Sequence, residues 1–191
     1  MEYLNRFKST VSSVAEAVSS SLPGNPVTRE YEPGTQTASA GPGLSWKIFS
    51  GQKRSTKQPV SVWVFEKKSV ERWPKREREL LIETLRKGVS QLTRLRHPRL
   101  LIVEHPLEES RDSFAFCTEP VFASLANLLG RIDNMPEIVP PHIADFELLE
   151  VEIKHGLCQL AEGLAFLHND AKILHRNIAP ESVIVNIFDN T

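Results

Sequence analysis

The segment HRNIAPES, residues 175–182, decides how the rest of this 191-residue chain is read. It is a polar loop between a long helical stripe and the short apolar run Val183–Val185. Loops held by regular elements on either side are where functional side chains concentrate. Asn177 offers an amide oxygen that accepts a hydrogen bond but cannot take up a proton near neutral pH. Ser182 offers a single hydroxyl, and His175 and Arg176 stand ahead of both. Whether the loop performs chemistry or keeps a shape depends on what surrounds it.

Upstream, the spacing of Ile153, Leu157, Leu160, Leu164 and Leu167 predicts a long helix from about Phe146 to Leu167, with those residues on a buried stripe. A Pro-rich loop, NMPEIVPPHIAD, precedes it. SLANLLG reads as a short helix with Ser124 as N-cap and Gly130 at its C-terminal end. RLLIVEHPLEE and SFAFCTEPV read as strands about a turn holding Arg111 and Asp112. Residues 75–96 have helical period, with Leu80, Leu81, Thr84, Leu85, Val89, Leu92 and Leu95 on one face and Pro98 as the stop.

Residues 27–65 are short β-type runs between Gly, Pro and Ser, among them the antiparallel pair SWKIF and VSVWVF. Before them Leu4, Phe7, Val11, Val14, Val18 and Leu22 form an amphipathic stripe that LPGNP ends. Strands, a helix, two strands, then helices and a small β element predict an α+β fold: a mostly antiparallel sheet with one packed helix, followed by a helical lobe.

Composition is that of a soluble globular protein, 40% hydrophobic and 25% charged with net charge −1. Such a balance gives no electrostatic case for nucleic acid or an anionic membrane. In the first helix Arg6 and Lys8 offset Glu2 and Glu16, so membrane contact there is at most peripheral. No apolar run reaches the roughly 18 residues of a bilayer span. The start lacks a secretory pattern and Glu2 rules out N-myristoylation, so a cytoplasmic location is expected. Cys117 and Cys158 lack C-x-x-C spacing and are expected to be reduced and buried; the six histidines show no metal spacing, so no metal site is expected.

RHPRLL, CTEPVFASLANLLG and GLAFLHND…ILHRNIAPESVIV, in that order, resemble the protein-kinase fold over residues 28–185. The wording of GNPVTREYEPG, STKQPVSVWVF, LTRLRHPRLL and HPLEESRDSFAFCTEPVFASLANLLG is similar to the Scy-like pseudokinases, in particular their coated-vesicle-associated members, up to about Asn186. The resemblance implies an amphipathic helix and linker over 1–26, a kinase-like N-lobe over 27–119, and a partial C-lobe over 120–191 with the catalytic-loop region.

It also implies where the catalytic groups should stand. The phosphate-loop glycines of G-x-G-x-x-G-x-V fall at Ala38, Ala40 and Gly43, with Ser45 at the Val place and Gly41 nearby. A β-carbon at Ala40 would crowd backbone amides away from phosphate oxygens. The strand lysine falls at Trp63, which carries no charge; Lys67 and Lys68 lie further along. Its helix Glu partner falls at Gly88. In the loop pattern H-R-D-L-x-x-x-N, the Asp place is Asn177, the usual Lys is Ala179 and the metal-holding Asn is Ser182, while His175 and Arg176 remain as anchors. The metal-holding D-F-G is expected beyond Thr191, so a form short of that segment is expected, with IFDNT resembling no kinase segment.

Losing one well-placed electrostatic contact typically slows a reaction by about 10²–10³, though such losses do not multiply. The resemblance therefore implies a non-catalytic scaffold in clathrin-dependent traffic between Golgi, endosomes and plasma membrane, peripheral on those membranes. Clathrin and adaptor proteins are the implied partners, mostly through regions outside this chain. No cofactor is expected. The alternative is an atypical kinase or Mg²⁺-independent ATP binder, using the hinge at Thr118, Glu119 and Val121 with Ala38, Ala40 and Gly43. A third reading is a fragment without an independent role, its Ile153–Leu167 stripe uncovered and prone to aggregate.

Overall fold

A computed structural model of the chain describes residue 22 and residues 24–186. The helix expected over residues 4–22, Leu22 apart, and the segment IFDNT lie outside the described residues. A single turn of helix, α1 (Val27–Glu30), leads into strand β1 (Tyr31–Ala40). β2 (Trp46–Lys53) and β3 (Pro59–Glu66) follow, then helix α2 (Lys75–Leu92), β4 (Val103–Glu109) and β5 (Ser113–Thr118). The five strands form an antiparallel sheet in the order β1-β2-β3-β5-β4.

Alternation along the strands divides the apolar residues between two faces. Trp46, Ile48, Trp63, Phe65, Phe114 and Phe116 share one face with Leu85 and Val89 of α2. Phe49, Val60, Val62, Val64, Ala115 and Cys117 share the other, under Leu22, Val27 and Tyr31. Asn25 is 1% exposed; its amide donates to Ser113 Oγ at 3.2 Å, and its oxygen accepts the Val27 N–H at 3.1 Å. Residues 22 and 25, which the division at residue 27 leaves with the helix and linker before the lobe, thus seal the outer face of the sheet.

α2 ends at Leu92, several residues before Pro98, and is turned relative to the expected stripe. Leu80 is 64% exposed and Thr84 spends its hydroxyl on the Leu80 carbonyl at 2.7 Å, while Leu81, Ile82, Leu85, Val89 and Leu92 meet the core. A six-residue apolar set fits more than one helical face, and packing against the sheet selects the one centred on Leu85.

The remaining elements begin with β6 (Ala123–Ser124), which pairs antiparallel with the half-buried β7 (Ile184–Val185). α3 (Leu125–Leu128) is capped as expected, the Asn127 N–H donating to Ser124 Oγ at 3.2 Å. α4 (Pro141–Ala144) and α5 (Glu150–Ala165) follow, α5 continuing into a π-helical turn over Phe166–Asp170. α5 starts at Glu150 rather than Phe146 because the Glu152 carboxylate takes the Leu149 N–H at 2.8 Å. Its expected stripe is not buried: Ile153 is 47% and Leu157 60% exposed, and of that set Leu167 alone is fully enclosed. Gly163 lets α5 approach the chain before β4 closely, since a β-carbon there would lie 3.3 Å from Arg99 Cβ, a tight contact. Beside it Arg99 pairs with Glu162 at 3.0 Å, and His97 stacks on Phe166 at 4.6 Å.

Among the described residues no helix is long and apolar enough to cross a membrane. Both cysteines are free, but only Cys117 is buried; Cys158, expected in the core, is exposed on α5. Burial, then Glu30 and Glu104, push the Cys117 thiol up to about 12. At pH 8 its reactive thiolate is therefore on the order of 10⁻⁴ of the population. Titration of the native protein with a thiol reagent should modify one cysteine promptly, and both in denaturant. Two fast thiols in the native protein would show that the sheet's outer face is open.

Candidate functional site

The turn between β1 and β2 is built by its glycines. Gly41 has φ +75° and Gly43 φ +60°, left-handed values that favour glycine, and a β-carbon at Gly41 would fall 2.5 Å from Trp46 Cδ1. Ala38 and Ala40 are fully buried in the sheet-to-helix core, their methyl groups packed rather than facing an open loop. The turn is fastened to the loop with which the sequence was first read. Gly41 N–H donates to the Glu181 carbonyl at 2.7 Å and Gly43 N–H to Glu181 Oε1 at 3.1 Å. Glu181 Oε2 in turn pairs with Arg131 at 2.7 Å.

More ties converge on the same turn. The buried Asn127 accepts the Ser39 N–H at 2.8 Å and donates to Ser39 Oγ at 3.0 Å and the Arg131 carbonyl at 2.8 Å. Ser39 Oγ donates to the Asp133 carbonyl at 2.8 Å, and the Asn134 amide to the Leu44 carbonyl at 3.1 Å. Hydrogen bonds of this number across residues so distant in sequence hold the turn shut against the segment 127–134.

On the sheet face beneath, Trp63 is buried at the strand-lysine place. It stacks on Phe116 at 5.3 Å, and Trp46 meets Phe116 edge-on at 5.1 Å. Its indole N–H donates to Thr118 Oγ1 at 2.9 Å, and that hydroxyl donates to the Glu119 carbonyl at 2.8 Å. Val121 N–H donates to Ser61 Oγ at 2.8 Å in a buried bond. The Glu119 N–H and carboxylate both turn back to Ile102, at 3.1 and 2.9 Å. The hinge groups expected to meet an adenine edge, around Glu119 to Val121, therefore already have partners within the chain.

Among the described residues no lysine takes Trp63's place. Lys67 pairs with Glu109 at 2.7 Å and sits 4.8 Å from the Phe114 ring centre, and Lys68 and Lys47 pair with Glu66 at 3.5 and 2.8 Å. Partial burial raises Glu109, but the hydrogen bonds and charges of Lys67 and Arg86 outweigh it and hold its carboxyl below the usual range. Gly88 is exposed on α2, with open space where a side chain would begin.

In the loop, Asn177 donates to Ser182 Oγ at 2.9 Å, so the two degenerate positions satisfy each other. Ala179 supplies a carbonyl to the Ser182 N–H at 2.8 Å. Desolvation, then His168, hold the His175 imidazole below its ordinary range. It is thus neutral at pH 7 and its Nδ1 accepts the Asn177 N–H at 3.3 Å. Among the described residues no group of three His, Cys, Asp or Glu side chains is placed to hold a metal.

The structure thus brings Ala38, Ala40 and Gly43 to the turn, Trp63 with Thr118, Glu119 and Val121 to the hinge, and Asn177, Ala179 and Ser182 to the loop; Gly88 stands apart. Sequence reasoning missed Ser61, Asn127, Arg131 and Glu181 as partners. No periodicity marks them, because each acts across a sequence separation of 50 or more residues.

No family model matches the chain. It is 57% identical over 183 residues to SCY1-like protein 2 of Mus musculus, covering 96% of this chain and 20% of that protein. It is 40% identical over 152 residues to the protein kinase domain-containing protein ppk32 of Schizosaccharomyces pombe, covering 74% of this chain and 20% of that one. The chain thus spans about a fifth of the length of these curated relatives. Among solved structures it is similar to the crystal structure of Rad53 1-466 in complex with AMP-PNP, with TM-score 0.53 at 15% identity over 81% of this chain and 34% of that one. That likeness shows the fold: a protein-kinase-like N-lobe sheet with its helix, and part of a C-lobe.

The aromatic filling predicts losses of different size for two substitutions. Trp63→Phe removes the bond to Thr118 and should cost about 1–2 kcal/mol in denaturant unfolding. Trp63→Lys restores the catalytic residue type but buries an ammonium without a carboxylate, and should cost roughly 3 kcal/mol or more. A Trp63→Lys protein as stable as the parent would mean that the cleft is open to water and charge.

Proposed function

This chain belongs to the SCY1-like family of protein-kinase-like proteins, and from that premise we propose that it is a non-catalytic, nucleotide-blind protein-binding module. The observation that carries this reading is the internal pairing of Val121 N–H with Ser61, beside Trp63 and Thr118. Phosphoryl transfer depends on positioning and on charge placed against the phosphates. Here the strand cation is an indole, the helix carboxylate place is a bare glycine, and Asn177 and Ser182 bond each other. A nucleotide would have to displace a stacked Trp63 and break the hinge bonds, leaving Ser61 and Thr118 to find other partners. The atypical kinase and the Mg²⁺-independent ATP binder are disfavoured on the same ground.

In the wider protein the module serves as a scaffold in clathrin-dependent traffic between Golgi, endosomes and plasma membrane, cytoplasmic and peripheral on membranes, with clathrin adaptors as partners. That part rests on the family likeness. Its test is whether the full-length protein co-purifies with clathrin adaptors from coated-vesicle fractions, and whether the module changes that yield.

The nucleotide reading has a direct check. In thermal-shift titrations with ATP up to millimolar, with and without Mg²⁺, the melting temperature should stay unchanged, and labelled γ-phosphate should reach neither the protein nor a general acceptor. A ligand at 100 times its Kd stabilises by about 2.7 kcal/mol, a rise of several degrees for a domain of this size. A saturable rise of that size, or transfer lost on substituting Asn177, would contradict the proposal.

A further inference from the structure

The turn Gly41–Gly43 together with Arg131 has the makings of an oxyanion site, and we infer that Glu181 is its tethered occupant, a carboxylate of the chain itself standing where an oxygen of a free phosphate or carboxylate would sit. This rests on the reading of the native cleft as nucleotide-blind. Glycines at φ +75° and +60° flank Pro42, which has no N–H, so the donors that the turn offers to the loop at residue 181 are the Gly41 and Gly43 N–H groups. Gly43 N–H reaches Glu181 Oε1 at 3.1 Å and Gly41 N–H reaches the Glu181 carbonyl at 2.7 Å. Arg131 Nη1 completes the set at 2.7 Å from Oε2, and Asp133 lies 3.6 Å from Nη2 of the same guanidinium.

Guanidinium-to-carboxylate bonds of this length are among the strong ones, and the Gly43 N–H bond is charge-assisted by the same carboxylate. The Glu181 side chain is 16% exposed. The device has a consequence for binding. Any partner that offers a small carboxylate or phosphate to this turn must first expel Glu181, and in doing so frees the β1–β2 turn from the loop 180–182. The site is thus a latch whose ligand class is a small oxyanion.

The test uses the whole chain. Glu181→Ala should lower the melting temperature by on the order of 5 °C. Acetate or inorganic phosphate at tens of millimolar should restore much of the loss, whereas chloride at the same ionic strength should not. Restoration by acetate alone points to a carboxylate ligand, and by phosphate alone to a phosphorylated one. The parent, and Glu181→Ala combined with Arg131→Gln, should show no such response. An unresponsive Glu181→Ala, or a double variant that responds equally, overturns the inference. Should Glu181→Ala not fold even with either anion, Glu181→Gln decides: its destabilisation should largely vanish in an Arg131→Gln background, and additive losses overturn the latch. ATP binding by the parent would instead sink the nucleotide-blind reading, which the failure of rescue in Glu181→Ala leaves standing.

Discussion

The bond from Trp63 Nε1 to Thr118 Oγ1, at 2.9 Å, is the constraint around which the cleft is organised. A buried indole on the central strand β3 needs an acceptor for its N–H, and Thr118, the last residue of β5, supplies it. Thr118 then turns its own proton to the Glu119 carbonyl, and one turn of chain later Val121 N–H is taken by Ser61. The result is a sheet face that packs to completion within itself. A protein kinase leaves the same region polar and open for a nucleotide; here Trp46, Trp63 and Phe116 make it part of the core.

The second organising contact runs from the β1–β2 turn to the loop at residue 181. With the hinge side filled by aromatic rings and the turn side tied by Glu181, Asn127, Ser39 and Asn134, the sheet and the elements after it are held together at both places. Rigidity of this kind suits a surface that must present one shape to a protein partner, since less ordering entropy is lost on binding. Catalysis asks for the reverse, a turn and hinge that open and close around substrate.

Much of this was legible in the sequence. The strands 46–49 and 60–65, the Ser124 cap and the α+β order follow from alternation, caps and turn residues, all local signals. The residue types at Trp63, Asn177 and Ser182 were read from the sequence as missing chemistry. What filled the vacated space was not, because Ser61 to Val121, Ser39 to Asn127 and Gly43 to Glu181 are pairings between distant residues with no periodic trace. Helix faces were the other failure. In α2 the stripe included Leu80 although the sheet selects Leu81 and Ile82, and in α5 the stripe at Ile153 and Leu157 stands open. An apolar period says that a face exists, while only the neighbouring element decides which face is covered.

The internal satisfaction of the hinge is tested most directly by following the Val121 amide and the Trp63 indole N–H by NMR during ATP addition. The account predicts that both protons exchange slowly with solvent and keep their chemical shifts up to millimolar nucleotide. Saturable shifts at both positions would show adenine competing for the groups assigned to Ser61 and Thr118, and would contradict it.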